Sequence, residues 1–192
     1  MNVSLEDIGK KFGNHWIFRN LNYEIQSGDF VAITGNNGAG KSTLLQLISG
    51  FNTPSEGRIL HNGSAIDADV QSCTIIGPYT EIIEEFTLKE FLTFHAHFKK
   101  ALISIEEMAQ SASLPLDKYV GDFSTGMKQR AKLLTAFFFE NRLILMDEPT
   151  SNLDQEGFNW WKTQLEKLQN STVVIASNLS SEIESCRSQI NL

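Results

Sequence analysis

A glycine-rich stretch, Gly35–Thr43, has the residue types and spacing of a phosphate-binding loop. Its glycines allow backbone N–H groups to converge on an anion, and the helix expected after it directs its positive end at the same point. The Lys41 ammonium can reach the β- and γ-phosphates of a nucleotide, and the Ser42 hydroxyl can bind Mg²⁺. A chance glycine-rich turn is the alternative, but the apolar run Phe30–Thr34 before the loop and the amphipathic run Thr43–Ser49 after it favour a nucleotide site. The expected phosphate-binding residues are Asn36, Asn37, Gly38, Ala39, Gly40, Lys41, Ser42 and Thr43.

Two neighbouring carboxylates, Asp147 and Glu148, follow the apolar run Leu143–Met146, which predicts a buried strand. Ligands of open α/β sheets bind at the carboxyl ends of the strands, so this position suits reactive groups. We expect Asp147 to hold Mg²⁺ through water and Glu148 to polarise an attacking water as general base. Two acids after a strand can also serve only solubility, but the upstream phosphate loop disfavours that alternative. Asn178, which follows the strand predicted for Thr172–Ser177, belongs to the same edge.

Two further features, a serine-glycine helix start and an aromatic residue, carry weaker signals. Ser124 is a good helix N-cap and Gly126 leaves backbone N–H groups accessible, so a second anion-binding helix start is predicted, although many helices begin this way. Phe12, at the end of the first predicted strand, could stack on an adenine ring. Spacing alone favours ordinary strand packing for Phe12, and Trp16 and Phe18 are rival aromatic residues.

The elements that must position these groups alternate between strands and helices. Val3–Phe12 and His15–Ile25 alternate between apolar and polar residues across a Gly13-Asn14 turn, which predicts an antiparallel ribbon. From residue 80 to about 132 the apolar residues follow a helical period, with a capping-box start at Thr87–Glu90. Further helices are predicted over Ser124–Phe139, Gln155–Gln169 and Ser180–Arg187. The sequence therefore predicts an α/β fold: a mainly parallel central sheet flanked by helices, with an N-terminal antiparallel ribbon and a helical insertion.

The helix predicted after Thr87 has an apolar face. The residues expected on that face are Leu88, Phe91, Leu92, His95 and Phe98. His95 and His97 lie on adjacent rather than facing positions, so packed or solvated histidines are a better interpretation than a metal site.

Composition excludes several classes of protein. The 192 residues carry a net charge of −7 and no basic block, which argues against nucleic acid as a partner. Cys73 and Cys186 lack metal-like spacing and indicate reduced cytosolic thiols. The N-terminus does not resemble a signal peptide, and the longest apolar runs, such as Leu133–Phe139, are too short to span a bilayer. We therefore expect a cytoplasmic protein that reaches a membrane only through a partner.

The order of these motifs resembles that of the ATP-binding cassette (ABC) ATPases, the nucleotide-binding subunits of ABC transporters. The resemblance covers residues 3 to about 190. After the phosphate loop come a signature at Ser124–Gln129, a Walker B strand at Leu143–Glu148 and a D-loop at Ser151–Asp154. It implies a P-loop NTPase fold in a single cassette domain over residues 1–192. Residues 1–78 and 132–192 would form the core with its antiparallel β subdomain, and residues 79–131 a helical subdomain that carries the signature.

The resemblance also implies how the site works. Two copies would close head-to-tail around two ATP molecules with Mg²⁺, as a homodimer, and the signature of one copy would meet the γ-phosphate held by the loop of the other. Phe12 would occupy the adenine-stacking position, although its spacing alone favours ordinary strand packing. Asp154 would be one of the nucleotide-binding residues. The signature residues expected at the nucleotide are Ser124, Thr125, Gly126 and Met127.

Three positions depart from the family pattern. Thr125 replaces a signature glycine, which is a mild change. Pro78 stands where the family has the glutamine of its Q-loop, which affects contact with Mg²⁺ and coupling to a membrane partner. Asn178 replaces the switch histidine, and it can hydrogen-bond a γ-phosphate but cannot carry charge or shuttle a proton. Because the catalytic Glu148 and Lys41 are intact, we predict slow but real ATP hydrolysis.

The leading interpretation is an ATPase that powers transport together with a separate integral membrane permease, at the inner face of the cell membrane. The aromatic-rich stretch Phe86–Phe98 is a candidate docking groove for that permease. Two alternatives stay open. Pro78 and Asn178 favour an ATP-sensing cassette with little turnover. A soluble cassette acting on ribosomes or DNA is disfavoured by the acidic charge and the single cassette.

Overall fold

The computed structural model describes residues 1–66, 72–168 and 170–192. Its strands are β1 (Val3–Phe12), β2 (His15–Ile25), β3 (Phe30–Thr34), β4 (Glu56–His61), β5 (Ser64–Ala65), β6 (Cys73–Ile76), β7 (Leu143–Asp147), β8 (Thr172–Ala176) and β9 (Ser188–Asn191). Its helices are α1 (Lys41–Ile48), α2 (Leu88–Ala96), α3 (Ile105–Ser111), α4 (Thr125–Phe137), α5 (Gln155–Glu166) and α6 (Ser180–Ile183), with a short 3-10 helix at Val120–Asp122.

The chain divides into two compact units. The first comprises Met1–Gly77, Arg142–Glu148 and Asn170–Leu192, and the second comprises Pro78–Asn141 and Pro149–Gln169. The second unit contains the helical segment predicted at residues 79–131. It also takes in the rest of α4 and the helix α5, because these two helices pack against each other and Trp160 of α5 contacts the apolar core of that unit.

A parallel sheet forms the centre of the first unit. Within the described residues its five strands run in the order β6-β7-β8-β3-β9. Every residue of β7 and β8 is buried, which explains their nearly uninterrupted apolar sequences. Helix α1 contacts both strands and buries its leucines in the same core. Because parallel strands share one carboxyl edge, β3, β7 and β8 bring the phosphate loop, Asp147 and Asn178 together there, and the predicted α/β fold is confirmed.

An antiparallel sheet in the order β2-β1-β4-β5 completes the first unit. β1 and β2 have the predicted bounds, and Gly13 makes the turn between them with φ +56°. β1 pairs with β4 on its other side, so the predicted ribbon is part of a larger sheet. Val3, Leu5 and Ile8 of β1 are buried in the apolar core of this unit.

The second unit has an apolar core of its own. Thr87 caps α2, and reciprocal hydrogen bonds with Glu90 complete the predicted capping box. These bonds satisfy N–H groups that a helix start otherwise leaves without partners, which fixes where α2 begins. The most deeply buried large residues of this core include Leu88, Leu92, Met108, Val120, Leu134 and Phe139.

The apolar face predicted for α2 is only partly correct. Phe91 and His95 are half-buried against the core, as predicted. Phe98 is 57% exposed, so the prediction that it shares the buried face is wrong. The reason is that α2 ends at Ala96, two residues before Phe98, whose ring packs edge-on against Phe94 with centroids 5.1 Å apart.

The strand β9 does not follow from any sequence prediction. The helix predicted over Ser180–Arg187 stops at Ile183, and the chain then extends and pairs in parallel with β3. Ile190 lies opposite Ile33 in this pairing and is only 2% exposed. β9 forms because the edge of β3 provides a strand to pair with and the core beneath it provides an apolar site for Ile190. A local sequence pattern reveals neither of these.

The helices are shorter than predicted. α4 ends at Phe137 rather than Phe139, where the Asn141 amide donates to the carbonyls of Thr135 and Ala136 and closes the last turn. α5 ends at Glu166, and its predicted last residue, Gln169, lies outside the described residues. In the described ranges, no helix combines the length and the apolar character needed to cross a membrane.

Candidate functional site

The phosphate loop connects the carboxyl end of β3 to the start of α1. Gly38 and Gly40 have φ values of +83° and +103°, and Gly40 is the N-cap of α1. A Cβ at Gly40 would come within 2.4 Å of Ile17 Cγ2, so the close approach of β2 also requires glycine there. No side chain caps α1, and its first N–H groups therefore remain available to an acceptor, as at anion-binding helix starts.

Lys41 places a buried cation inside this loop. Its side chain is 7% exposed, and Nζ donates to the carbonyl oxygens of Gly35 at 2.8 Å and Asn36 at 3.3 Å. These acceptors are neutral, so they orient the ammonium without cancelling its charge. A buried cation held by carbonyl groups is a strong attractor for an anion such as phosphate.

Asp147, at the end of β7, faces the phosphate loop from the next-but-one strand. The Ser42 hydroxyl hydrogen-bonds its carboxyl group, which is 4% exposed. Burial raises the pKa of Asp147 above its ordinary value, and the neighbouring Glu148 charge adds to this rise. The Ser42 hydrogen bond and the Lys41 ammonium lower the pKa but do not offset the burial.

The Ser42 and Asp147 side chains fit a magnesium ion. Asp147 Oδ2 is buried and has no hydrogen-bond partner among the described residues. A buried carboxylate oxygen without a donor is costly, and a cation would remove that cost. Carboxylate and hydroxyl oxygens are the hard ligands that Mg²⁺ prefers, and the ion usually keeps several waters beside them. The structure thus has the right chemistry where the sequence predicts the metal.

Glu148 occupies a strained backbone conformation. Its φ is +47°, in the left-handed region that glutamate rarely adopts. Its N–H donates to the carbonyl of Ala176 at 3.0 Å, which ties the residue to the end of β8. The side chain is exposed and lines the cleft beside the phosphate loop. Strain of this kind persists where the surrounding structure enforces it. The sequence pattern does not predict it.

Asn178 lies at the same edge, as predicted. Its Nδ2 donates to Oδ1 of Asn37 in the phosphate loop at 3.1 Å. The contact joins residues far apart in sequence, so only the three-dimensional arrangement reveals it.

Residues of the phosphate loop, with Asp147 and Glu148, line an open cleft of about 300 Å³ in the first unit. The lining residues are Ile17, Asn37, Gly38, Gly40, Lys41, Ser42, Thr43, Asp147 and Glu148. The structure therefore brings together the predicted phosphate-binding, metal-binding and general-base residues. Asn36 and Ala39 form a turn within the loop, with Ala39 N–H donating to Asn36 O at 3.0 Å, and do not line the cleft. Ile17 is a lining residue that the sequence reasoning missed, although its place on β2 is an ordinary apolar strand position.

Phe12 stands apart from the cleft lining. Its ring is 53% exposed at the end of β1, and Lys10 Nζ lies 5.2 Å from the ring centroid. Of the rival aromatic residues, Trp16 has Lys11 Nζ 5.1 Å and Arg19 Cζ 4.2 Å from its ring centroid, and Phe18 packs beside Gly40. Adenine stacking on Phe12 therefore stays a prediction.

The signature lies in the second unit, where Ser124 caps α4. The Ser124 hydroxyl accepts from Met127 N–H at 3.2 Å, and Thr125 is exposed in the first turn. A Cβ at Gly126 would lie 2.7 Å from the carbonyl oxygen of Asn152, so this glycine permits a close backbone contact. Ser124, Thr125, Gly126 and Met127 thus form a helix start with the N-cap that the sequence predicts.

Other predicted positions have clear local roles. Gln129 is buried, and its Nε2 donates to the carbonyl of Pro149 at 2.7 Å. Asp154 is the N-cap of α5 and accepts from Gly157 N–H at 2.8 Å. Pro78 is exposed just after Gly77, the residue that follows β6. Asp154 thus has a structural role as an N-cap, and its role at a nucleotide remains a prediction.

Comparisons with known proteins show the family of the chain. A family model described as ABC transporter matches residues 18–151. The chain is 29% identical to Nod factor export ATP-binding protein I of Rhizobium sp. (strain N33), over 95% of this chain and 64% of that protein. It is 30% identical to lantibiotic transport ATP-binding protein SrtF of Streptococcus pyogenes, over 95% of this chain and 82% of that protein.

A solved structure shares the fold. It is a dimeric post-hydrolysis state of an ATP-binding cassette bound to ADP and Pi, with a TM-score of 0.85 at 24% identity, over 99% of this chain and 94% of that one. The chain spans between 49% and 64% of the length of several of the curated relatives it matches.

Proposed function

The chain belongs to the ABC transporter family, and on that premise we propose that it is the ATP-binding and ATP-hydrolysing subunit of a transporter. One observation carries the proposal. The cleft at the carboxyl edge of the parallel sheet joins a buried lysine, a helix start without a capping side chain, a Ser–Asp pair and an exposed glutamate. These are the groups needed to hold phosphates, a divalent cation and an attacking water.

ATP binds through its phosphates to the Lys41 ammonium and to the first N–H groups of α1. Ser42 and Asp147 hold Mg²⁺, which neutralises charge on the phosphates when it is bound. The raised pKa of Asp147 and its unpartnered Oδ2 support this assignment, because both show a carboxylate that needs a positive partner.

Glu148 acts as the general base. Its exposed carboxylate lines the cleft, and the strained backbone, anchored to Ala176, fixes the direction in which the side chain leaves the strand. A base held in one place reduces the reorganisation needed to accept a proton from water. Turnover is slow, since Asn178 cannot supply the charge or the proton transfer of a histidine.

Two copies of the chain close around ATP. In the second unit, Ser124 caps α4 and leaves Thr125 and Gly126 at an accessible helix start, a site suited to the γ-phosphate held by the other copy. The dimeric neighbour bound to ADP and Pi supports this arrangement. Removal of the γ-phosphate by hydrolysis then loosens the dimer.

A membrane permease is the partner that couples this cycle to transport. In the second unit the rings of Phe86, Phe94 and Phe98 pack edge to face, and we name these three residues the aromatic patch. Phe94 is 46% and Phe98 57% exposed, whereas Phe91 packs into the core. The patch is the docking surface, and it places the subunit at the inner face of the cell membrane only through the permease. The transport names of the relatives support this assignment.

Where a neighbouring gene encodes a membrane protein, co-purification of the two proteins tests docking. Phe94→Asp should lose the complex, because a charge on the aromatic patch cannot be buried without a partner. Phe51→Asp is the matched control, since Phe51 is 73% exposed and belongs to the first unit. Retention of the complex by Phe94→Asp would place the permease elsewhere.

An ATP sensor with little turnover is the second candidate, favoured by Asn178 and Pro78. Turnover of Mg·ATP by the purified chain, with molecular size in ATP and in ADP, separates the two. Slow turnover that is lost in Glu148→Gln, together with an ATP-dependent dimer, supports the transporter ATPase. ATP-dependent dimers without turnover in either protein would support the sensor.

A further inference from the structure

The amide side chains of Asn37 and Asn178 form a pair across the edge of the sheet. Asn178 Nδ2 donates to Asn37 Oδ1 at 3.1 Å, over a sequence separation of 141 residues. Asn37 lines the cleft, whereas Asn178 is outside the set of lining residues. The hydrogen bond therefore connects a residue that lines the cleft to one that does not line it.

The backbone on both sides of Asn178 is held in place. Ser177 N–H donates to Ile33 O at 3.1 Å, which fastens the end of β8 to β3, the strand that leads into the phosphate loop. Ser177 Oγ accepts from Leu179 N–H at 2.9 Å, and Ser177 is fully buried. Asn178 thus starts from a backbone position that is fixed relative to the phosphate loop.

The chemistry of an amide explains what the pair can do. The oxygen and nitrogen ends of a carboxamide have nearly the same shape, but the first only accepts hydrogen bonds and the second only donates them. Beside a phosphate, the oxygen end repels and the nitrogen end attracts. Because Asn178 engages the oxygen end of Asn37, the two N–H groups of Asn37 Nδ2 are the end left for an anion.

We propose that Asn178 is a positioning residue that acts through Asn37. Its donation to Oδ1 selects the Asn37 orientation that presents N–H donors to a nucleotide phosphate. This inference rests on the proposed function and deepens it: Asn178 does not itself contact the γ-phosphate in place of a switch histidine, but sets the amide that does.

A double-mutant cycle tests the inference on the purified full chain. The affinity for Mg·ATP and the turnover are measured for the wild type, Asn37→Ala, Asn178→Ala and the double variant. We expect each single change to weaken affinity by about tenfold, the value of a hydrogen bond to a charged group, with a smaller change in kcat. The double variant should be no weaker than Asn37→Ala alone, because Asn178 then has no amide to orient.

Direct contact between Asn178 and the γ-phosphate gives different results. The two losses would then multiply in the double variant, or Asn178→Ala would lower kcat with KM unchanged, and either outcome overturns the inference. Asn178→Leu, which has a similar shape without a donor, should repeat the affinity loss of Asn178→Ala. Asn191→Ala, an exposed asparagine on β9, is the control and should bind like the wild type.

The same measurements separate this inference from the proposed function. If the wild-type chain binds no Mg·ATP, the proposed function fails and the inference fails with it. If the wild type binds and the two substitutions act independently, the proposed function stands and only the positioning role of Asn178 is overturned.

Discussion

A methyl group at Gly126 would lie 2.7 Å from the backbone carbonyl oxygen of Asn152, closer than Cβ atoms approach in folded proteins. Gly126 is the second residue of α4, and Asn152 has φ +66° in the loop before α5. The start of the signature helix and the D-loop are therefore fitted to each other through their backbones, with no room for a side chain between them.

This contact predicts that Gly126→Ala destabilises the chain by about 1–3 kcal/mol, because a backbone carbonyl must move. The loss should occur although alanine is the better helix former by about 1 kcal/mol. Thermal unfolding measures it, with Thr125→Ala on the exposed neighbour as a control expected to stay within about 0.5 kcal/mol. An unchanged Tm for Gly126→Ala would mean that the loop containing Asn152 moves aside without a loss of stability.

Asp147→Asn should stabilise the nucleotide-free chain and abolish Mg²⁺-dependent turnover. The pKa of Asp147 is raised by burial, so the folded state binds its proton more tightly than the unfolded state. The free energy of unfolding then decreases as pH rises from the ordinary pKa of 3.8 through the raised value, and the penalty is complete at neutral pH.

Thermal unfolding between about pH 5 and about pH 7, without nucleotide, checks this prediction. The gain in Tm from Asp147→Asn should be larger at the higher pH. Asp117→Asn makes the same substitution at an exposed site and should show no such pH-dependent gain. A loss of stability at neutral pH in Asp147→Asn would contradict the assignment of burial as the main cause.

Substitution of Glu148 by glycine should raise the stability of the chain while it abolishes turnover. Glu148→Gly relieves the left-handed φ of +47° and should raise stability by about 1 kcal/mol, while turnover is lost. Glu148→Gln keeps the strain and should lose turnover without the gain. Denaturant unfolding with ATPase assays distinguishes them, and equal stabilities of the two variants would show that the backbone is not strained.

His95 should make the chain less stable in acid. Burial lowers the pKa of His95 to about 4, and the Lys99 ammonium acts in the same direction. Its ring lies edge-on to Phe139 at 4.5 Å, and Nε2 finds no hydrogen-bond partner among the described residues. The unfolded state gains the proton first as pH falls below about 6.5, so stability is lost between there and the folded pKa.

His95→Phe removes this titration and should reduce the fall in Tm between about pH 7 and about pH 4.5. His97→Phe is the matched control, since His97 is exposed on the same stretch of chain, and it should keep the wild-type fall. If both variants follow the wild type, acid destabilisation arises from other groups.

Several parts of the site were open to prediction because their causes are local. The glycines of the phosphate loop, the Thr87 and Ser124 caps and the Gly13 turn each depend on the conformations of a few consecutive residues. Apolar runs predict the buried strands β3, β7 and β8. Once these were placed, the shared edge of a parallel sheet put Asp147, Glu148 and Asn178 near the loop.

What the amino-acid sequence determined by itself, then, was the order of motifs, the α/β class and the types of residue at the cleft. Tertiary structure alone decided which of them meet. β9 depends on the free edge of β3, Phe98 turns outward because α2 ends before it, and the Asn37–Asn178 bond and the strain at Glu148 require the sheet to be assembled. Local conformation is set by neighbours in the chain, whereas contacts between distant residues are set by the packing that the whole core imposes.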